Sequence, residues 1–524
     1  MSQAIFDTIS ALIDSGAFIQ AESATIELLE QIAKKDNDSD TFVIFKFNVA
    51  GFLVDIAHAL SNREHALKAL ELFESLESKI DGVIDSQKYF YNLGNAKCNI
   101  VEQTSAFDLS FSSIETLVEA KNDYWKSVKE ARKANEEFSE QYVNLANCLK
   151  RQFRFSEAMW YYDNICESAP DIAQSWINRS EALLMLNTVS TSCSAKMLHE
   201  ISCGYNRASR SKSIPPDYAT YYVEQAERFK QRIDESDHEE TQKEFQELSE
   251  YRKYCCRSNL TLSEHGLYCS CAGAARDNLT IPLTSIAIGG AFVPQMEAVL
   301  NRLKSEFSMA RHCYFEYVRA EVGAGLIHEE CFTNLENNEC LGLDFEKLRT
   351  AFRLCFGILD KIGLAICEYH SLKPKNGMVY FQNFWQLDRD NRREKFEIIK
   401  TPALLALYSI ATDLNEHKHG EWQDFKRLRN AMEHGFLVIA HSGNINDKFG
   451  AYEFSDDVEI VGLGVFEEMV EQMLQLTRSA IFSFVFHFRE KGLKESGLTG
   501  LAVSLQRVNL AKVSKSKGRK VRAK

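Results

Sequence analysis

Apolar residues in the C-terminal half recur at helical spacing. Met296, Val299, Leu303, Phe307, Ala310, Tyr314 and Tyr317 share one helix face, and Leu348, Phe352, Cys355, Leu359, Ile362 and Ile366 share a face of a second helix. Pro402, whose fixed φ suits a first helical turn, opens a third that carries Leu404, Leu405, Tyr408 and Ala411. Phe425, Leu428, Met432, Gly435, Phe436 and Ile439 form the apolar side of a fourth, predicted from Asp424 to Ala440. Val465, Phe466, Met469, Met473 and Leu476 lead into a fifth that reaches Phe488. Such a set predicts an antiparallel helix bundle over residues 295–490. Two interruptions fall at 373–400 and 441–462. The second alternates Tyr452, Phe454, Val458, Ile460 and Val461 with polar residues, which predicts a small inserted hairpin.

The first half is patterned as helix pairs. Tyr142-Val143-Asn144-Leu145-Ala146 returns 34 residues later as Trp176-Ile177-Asn178-Arg179-Ser180, and Cys148-Leu149 returns as Ala182-Leu183. Between the copies, Ser156-Glu157-Ala158, Tyr161-Tyr162-Asp163 and Pro170 supply a second helix and a closing turn. Phe90-Tyr91-Asn92-Leu93-Gly94 is an earlier copy, followed after an insertion by a helix around Tyr124 to Phe138. A weaker pair runs from Thr41 to Leu76. This period is that of tetratricopeptide repeats, which residues 1–235 resemble, most specifically at 140–185. The resemblance implies a concave surface for a protein or peptide partner, although the residues also suit a plain helical stack. Arg228 to Glu250, rich in Glu, Gln, Lys and Asp, reads as an exposed helix joining the halves. Residues 236–294, with Gly266, Gly273, Pro282, Gly289 and Gly290, read as a folded connector.

Composition agrees with an all-α chain of two or more domains: 524 residues, 45% of them hydrophobic, with only seven prolines. The 61 basic and 74 acidic side chains leave a net charge of −13. Overall charge thus gives no support to broad nucleic-acid binding, so any RNA contact must be a local patch. The basic exception is the end of segment 491–524, where Lys512, Lys515, Lys517, Arg519, Lys520, Arg522 and Lys524 occur with no acid between them. That composition predicts a disordered tail, either solubilising or adding salt-sensitive, sequence-blind affinity for RNA.

Fourteen cysteines accompany a start, MSQAIFDTISALIDSG, without a basic region followed by an apolar one. The longest apolar run found, Ala480 to Phe488, is broken by Ser483 and His487 and falls short of the ~18 residues of a membrane helix. The expectation is a cytoplasmic protein with reduced thiols. Cys255-Cys256 and Cys269-Ser270-Cys271 stand closer than the usual zinc-binding spacing, which leaves buried thiols or a structural zinc as their readings. No cofactor is expected.

The chemistry-bearing stretch is Arg429-Asn430-Ala431-Met432-Glu433-His434. On the wheel of the fourth helix Asn430 and His434 lie together opposite the apolar face, with Arg429 at its border. Cutting RNA without a metal needs a group that takes the ribose 2′-OH proton or gives one to the leaving 5′ oxygen, and imidazole titrates near neutral pH. It also needs a permanent cation against charge growing on the phosphorus oxygens, a task suited to the guanidinium of Arg429. Asn430 can bind phosphate or hold the imidazole. Lys426, Arg427 and His441 are candidate substrate-binding residues.

Arg, four intervening residues and His, with Asn directly after the Arg, resembles the active-site pattern of the HEPN ribonucleases. The resemblance begins at Tyr251-Arg252-Lys253-Tyr254-Cys255 and Asn259-Leu260-Thr261-Leu262. It continues through Arg311 with Tyr314 and Phe315, then Leu359-Asp360-Lys361-Ile362, and covers roughly residues 250 to 490. It implies a homodimer through the C-terminal bundle, with the Arg-to-His helices of two copies facing across one cleft. It also implies a metal-independent endoribonuclease that cuts by 2′-OH attack, a toxin or phage-defence effector controlled through its repeats. The competing class is a non-catalytic dimeric scaffold or RNA-binding protein in which Arg429 and His434 hold structure. Leu437 and His441, placed by the wheel on the polar face with His434, and Glu433 beside the proposed base depart from the simplest pattern.

Overall fold

The computed structural model describes residues 3–34, 39–80, 82–190, 194–233, 242–281, 295–319, 339–374, 377–441, 455 and 457–495. Over these residues the chain is helical apart from one pair of short strands, as its composition predicts. It divides into two compact units, residues 1–152 with 161–175, and residues 153–160 with the chain from Trp176 onward.

The first unit opens with α1 (Gln3–Asp14), α2 (Phe18–Ala33), α3 (Asp40–Leu60), α4 (Arg63–Leu76) and α5 (Ser86–Glu102). Phe6, Ile9, Leu28 and Ile32 pack with Phe42 and Val49, while Leu53 and Val54 pack with Phe73 and Tyr89. Ser61 turns the chain between α3 and α4 with a left-handed φ of 52°, and Asn62 Oδ1 then caps α4 by accepting from Glu64 N at 3.0 Å. By length and composition α3 could cross a membrane, which corrects the expectation that no run comes near that limit. The same composition serves a core helix, and Val43, Ala50, Leu53 and Val54 lie in the core.

Next come α6 (Phe111–Ala134), α7 (Ser139–Arg151), α8 (Phe155–Ser168) and α9 (Ala173–Ser190). Gly94 of α5 lies against the Tyr124 ring of α6, where a Cβ would come within 2.8 Å, so a glycine is needed for this close pair. Asn144 Nδ2 of α7 donates to Tyr91 OH at 3.0 Å and to Asn95 Oδ1 at 3.1 Å, linking three helices. The segment 140–185 is formed of helices, and α7 and α9, starting at Ser139 and Ala173, carry the two copies of the repeated pentapeptide. Ser180 of α9 is buried and faces Gly204 of α10 (Ala195–Ser209), where any Cβ would overlap its hydroxyl.

In the second unit α10 packs on α11 (Pro216–Lys230) through stacked Tyr205 and Tyr222 rings 5.8 Å apart. These helices, read from the sequence as the end of the repeat region, therefore belong with the C-terminal unit. α12 (Gln242–Gln246) and α13 (Glu250–Arg257) begin the connector, whose described part ends at Ile281. Arginines from bundle helices hold it. Arg311 of α14 (Gln295–Arg319) donates to Leu260 O at 2.8 Å and to Asp277 Oδ1 at 3.0 Å. The connector's backbone carbonyls thus find donors that its few helical turns cannot supply.

The bundle contains α14, α15 (Leu343–Tyr369), α16 (Asp390–Ile399), α17 (Pro402–Asp413), α18 (Asp424–His434) and α19 (Leu463–Glu495). Thr401 caps α17 by accepting from Leu404 N at 3.0 Å, with Pro402 at its first turn as expected. Phe352 of α15 meets Phe425 of α18 and Phe466 of α19 with ring centroids 5.5 and 5.6 Å apart. From α19, Arg478 donates to Thr261 O at 2.9 Å and Gly266 O at 2.6 Å, and Arg489 to Thr280 O at 2.9 Å, adding to the hold on the connector.

The helix expected to run to Ala440 ends at His434, and β1 (Phe436–Ala440) follows it. β1 pairs with β2 (Val458–Gly462) in parallel, Phe436 opposite Val458 and Ala440 opposite Gly462. Five consecutive apolar residues carry no 3.6-residue period, and their β-branched and aromatic members favour a strand once a partner is present. Two assignments reverse with this change. Leu437 is buried, and Phe436, given to the core face, is 41% exposed. Val458 to Val461, one arm of the expected hairpin, is thus a strand, paired in parallel with one from the motif segment. Tyr452 and Phe454, which suggested the hairpin, lie outside the described residues, as does the basic tail.

Candidate functional site

α18 buries Phe425, Leu428 and Ala431 against the bundle, and Met432 is half-buried. Phe425 anchors the helix, packed between Phe352 and Trp422, the latter with its ring centroid 5.1 Å away. Lys426, Asn430 and His434 follow at i, i+4 and i+8, which makes one stripe along the opposite side. All three line a cleft of about 550 Å³, together with Arg427 and Gly435. Asn430 and His434, grouped on the sequence wheel, are therefore brought together. The strands set the other wall, with Asp457 and Glu459 reaching the same cleft. Phe436 N donates to Asp457 O at 3.0 Å, and a Cβ on Gly435 would overlap that carbonyl oxygen, so glycine is required where helix passes into strand.

Arg429 sits differently. It is half-buried and absent from the cleft lining; its Nη1 donates to Asn430 Oδ1 at 3.5 Å. Its charge acts on Asp360 of α15. Burial raises that carboxyl above its ordinary range, and the hydrogen bond from Phe381 N, Arg429 and Lys361 draw it part of the way back. The imidazole of His434 therefore lines the cleft, whereas the guanidinium of Arg429 reaches it only through Asn430.

Arg427 is held by acids, with Glu459 Oε2 at 2.9 Å and Asp424 Oδ1 at 3.3 Å. Exposed pairs of this kind are worth about 0–1 kcal/mol, so a phosphate could displace them. His441 ends up exposed beyond β1, its ring 6.3 Å from Phe345, and does not line the cleft. The sequence reading missed the acidic wall. Glu416, Asp424, Asp457 and Glu459 outnumber the permanent cations Lys426 and Arg427 around the cleft. Only the pairing of β2 with β1 brings Asp457 and Glu459 there, and the spacing of α18 carries no sign of it.

Cys255 and Cys256 are buried, and Cys269 and Cys271 are half-buried. Among the described residues no group of three or more His, Cys, Asp or Glu is placed to hold a metal ion.

A helix bundle whose Arg-Asn-His helix edges a polar cleft defines the class. Residues 289–491 match the family model described as LA2681-like HEPN, and this part of the chain is a HEPN domain. A comparison of the chain with curated proteins finds no match.

Proposed function

We propose that this protein is a metal-independent endoribonuclease acting from a cleft that two copies of the HEPN domain build together. The observation that carries the reading is the stripe of Lys426, Asn430 and His434 along one side of α18, opening into the cleft. HEPN domains commonly are ribonucleases, generally bind RNA and often dimerise. In this reading His434 takes the proton of the ribose 2′-OH, and the freed oxygen attacks phosphorus. The P–O5′ bond breaks, a second imidazole protonates the departing oxygen, and a 2′,3′-cyclic phosphate remains. Arg429, which reaches the cleft through Asn430, offsets phosphoryl charge across the two-fold, while Lys426 and Asn430 position the phosphate. The helical repeats receive a protein or peptide that controls the cutting, as in a cytoplasmic toxin or phage-defence effector.

The test is incubation of the purified protein with total RNA in chelator. Fragments ending in cyclic phosphate, absent with His434→Ala, support the proposal; cutting that needs magnesium or manganese, or that survives in the folded His434→Ala dimer, overturns it. The four acids around the cleft favour one second reading, a non-catalytic scaffold whose cleft accepts a basic segment. Intact RNA in the same assay decides for it.

A further inference from the structure

The short turn Glu416–Lys418 has two sides. Glu416 lines the cleft, while His417 and Lys418 line a second, smaller cavity of about 210 Å³. Drug-sized ligands occupy about 300–1,000 Å³, so this volume suits a single planar ring system. Its apolar wall is made by Trp385 and Tyr408, whose ring centroids lie 5.3 Å apart at 64°. Trp385 Nε1 donates to Phe381 O at 2.9 Å, which fixes the indole.

Side-chain amides supply the polar wall. Gln382 is 7% exposed and lines the cavity, yet its carboxamide has no hydrogen-bond partner among the described residues. Its amide atoms keep contact with solvent inside the cavity, where a ligand with matching groups could pair with them. Asn415 fixes the surrounding backbone, donating to Gln382 O at 2.7 Å and to Asn383 Oδ1 at 3.2 Å. The Asn383 amino group and the Gln386 carboxamide are left facing the same space without partners among the described residues. Carboxamides carry a donor beside an acceptor, the pattern presented by the edge of a nucleobase.

From these groups we infer that the cavity is a subsite for one unpaired nucleobase, flanking the phosphodiester held in the cleft. The assignment rests on the ribonuclease reading for its substrate. Single-stranded RNA is recognised by splaying bases against aromatic side chains and pairing their edges with polar ones. The shared turn gives Glu416 to the cleft and His417 and Lys418 to the cavity, so the walls of the two sites are consecutive in the chain. Base identity is then read by Gln382, Asn383 and Gln386, and the chemistry is done at His434.

Two measurements on the full chain test this, using wild type, Gln382→Met and, as a second variant, Gln386→Met. Saturation-transfer NMR with AMP, GMP, CMP and UMP should show saturated base protons for at least one nucleotide, bound roughly tenfold more weakly by Gln382→Met. Sequencing of fragment ends from total RNA should show a preferred base at a fixed offset from the cut, lost in the same variant. Because the carboxamide has no partner in the free protein, Gln382→Met should not lower the melting temperature. A lowered melting temperature with unchanged nucleotide signals makes Gln382 structural and overturns the subsite. RNA cut without base preference, together with no nucleotide signal, overturns the subsite and leaves the nuclease reading standing. A nucleotide signal lost in Gln382→Met, when the wild type cuts no RNA, supports the base site and removes the nuclease reading.

Discussion

Replacing Asp277 by Asn should loosen the seating of the connector on the bundle, in a way that depends on pH. Asp277 is largely buried; its Oδ1 accepts from Arg311 Nη1 at 3.0 Å and from Leu262 N at 2.7 Å, and its Oδ2 from Arg252 Nη1 at 2.5 Å. Burial alone would raise this carboxyl, but Arg311, the Leu262 amide and Arg252 outweigh it and bring it down from 3.8 to about 2. Such a depression stabilises the fold by roughly 2 kcal/mol at neutral pH. The sign follows from protonation. The folded-state value is the lower one, so the contribution is fully present above the unfolded-state value and fades as pH falls from about 4 toward 2. Asn at this position also leaves the guanidinium of Arg311, itself fully buried, without its carboxylate, a loss of about 3–5 kcal/mol. Urea unfolding followed by circular dichroism should show the variant about 3–5 kcal/mol less stable at pH 7, and the gap narrowing by roughly 2 kcal/mol toward pH 2. An equal gap at both pH values would refute the assignment of this stability to the ionised carboxyl.

Other expectations concern the motif helix and its cleft. Leu428→Ala should cost about 2–5 kcal/mol and half-buried Met432→Ala clearly less, as compared by urea midpoints; equal losses would contradict the burial of α18. Gly435→Ala should cost about 1–3 kcal/mol because its methyl meets Asp457, and an unchanged melting temperature would show that β1 and β2 do not close there. Glu459→Ala should leave Arg427 paired only with Asp424 and tighten binding of a single-stranded oligonucleotide severalfold at low salt; unaltered affinity in fluorescence anisotropy would show that the Glu459 ion pair does not limit the cleft. Disrupting the bundle dimer should silence cleavage with Arg429 and His434 intact, and a monomer cutting at full rate would refute a shared site.

The helices were legible where one period repeats over several turns. Leu348, Phe352, Cys355, Leu359, Ile362 and Ile366 are all fully buried on α15, as their spacing predicts. At Gly435 the period gives out, because Phe436 to Ala440 is apolar throughout and only its pairing with Val458 to Gly462 decides for strand. His434 and Asn430 remained grouped since both precede that break. His441 was lost with it, being placed by a helix that no longer exists at residue 441. Long-range pairs leave no local trace. Nothing near Arg478 in the sequence announces Thr261 and Gly266 as its acceptors, and nothing near Gln382 announces an unpaired amide.

The strand pair has one more consequence. β1 follows α18 after a single residue, and β2 runs into α19 without a loop, so the backbone that carries His434 is geared by hydrogen bonds to the backbone of the longest bundle helix. A gear of this kind moves by whole teeth. Sliding β1 by one residue against β2 would turn Leu437 from the core to solvent and bring Phe436 in, so intermediate positions are closed to it. The imidazole is thus held by ladder register, a setting that has discrete values and resists gradual drift.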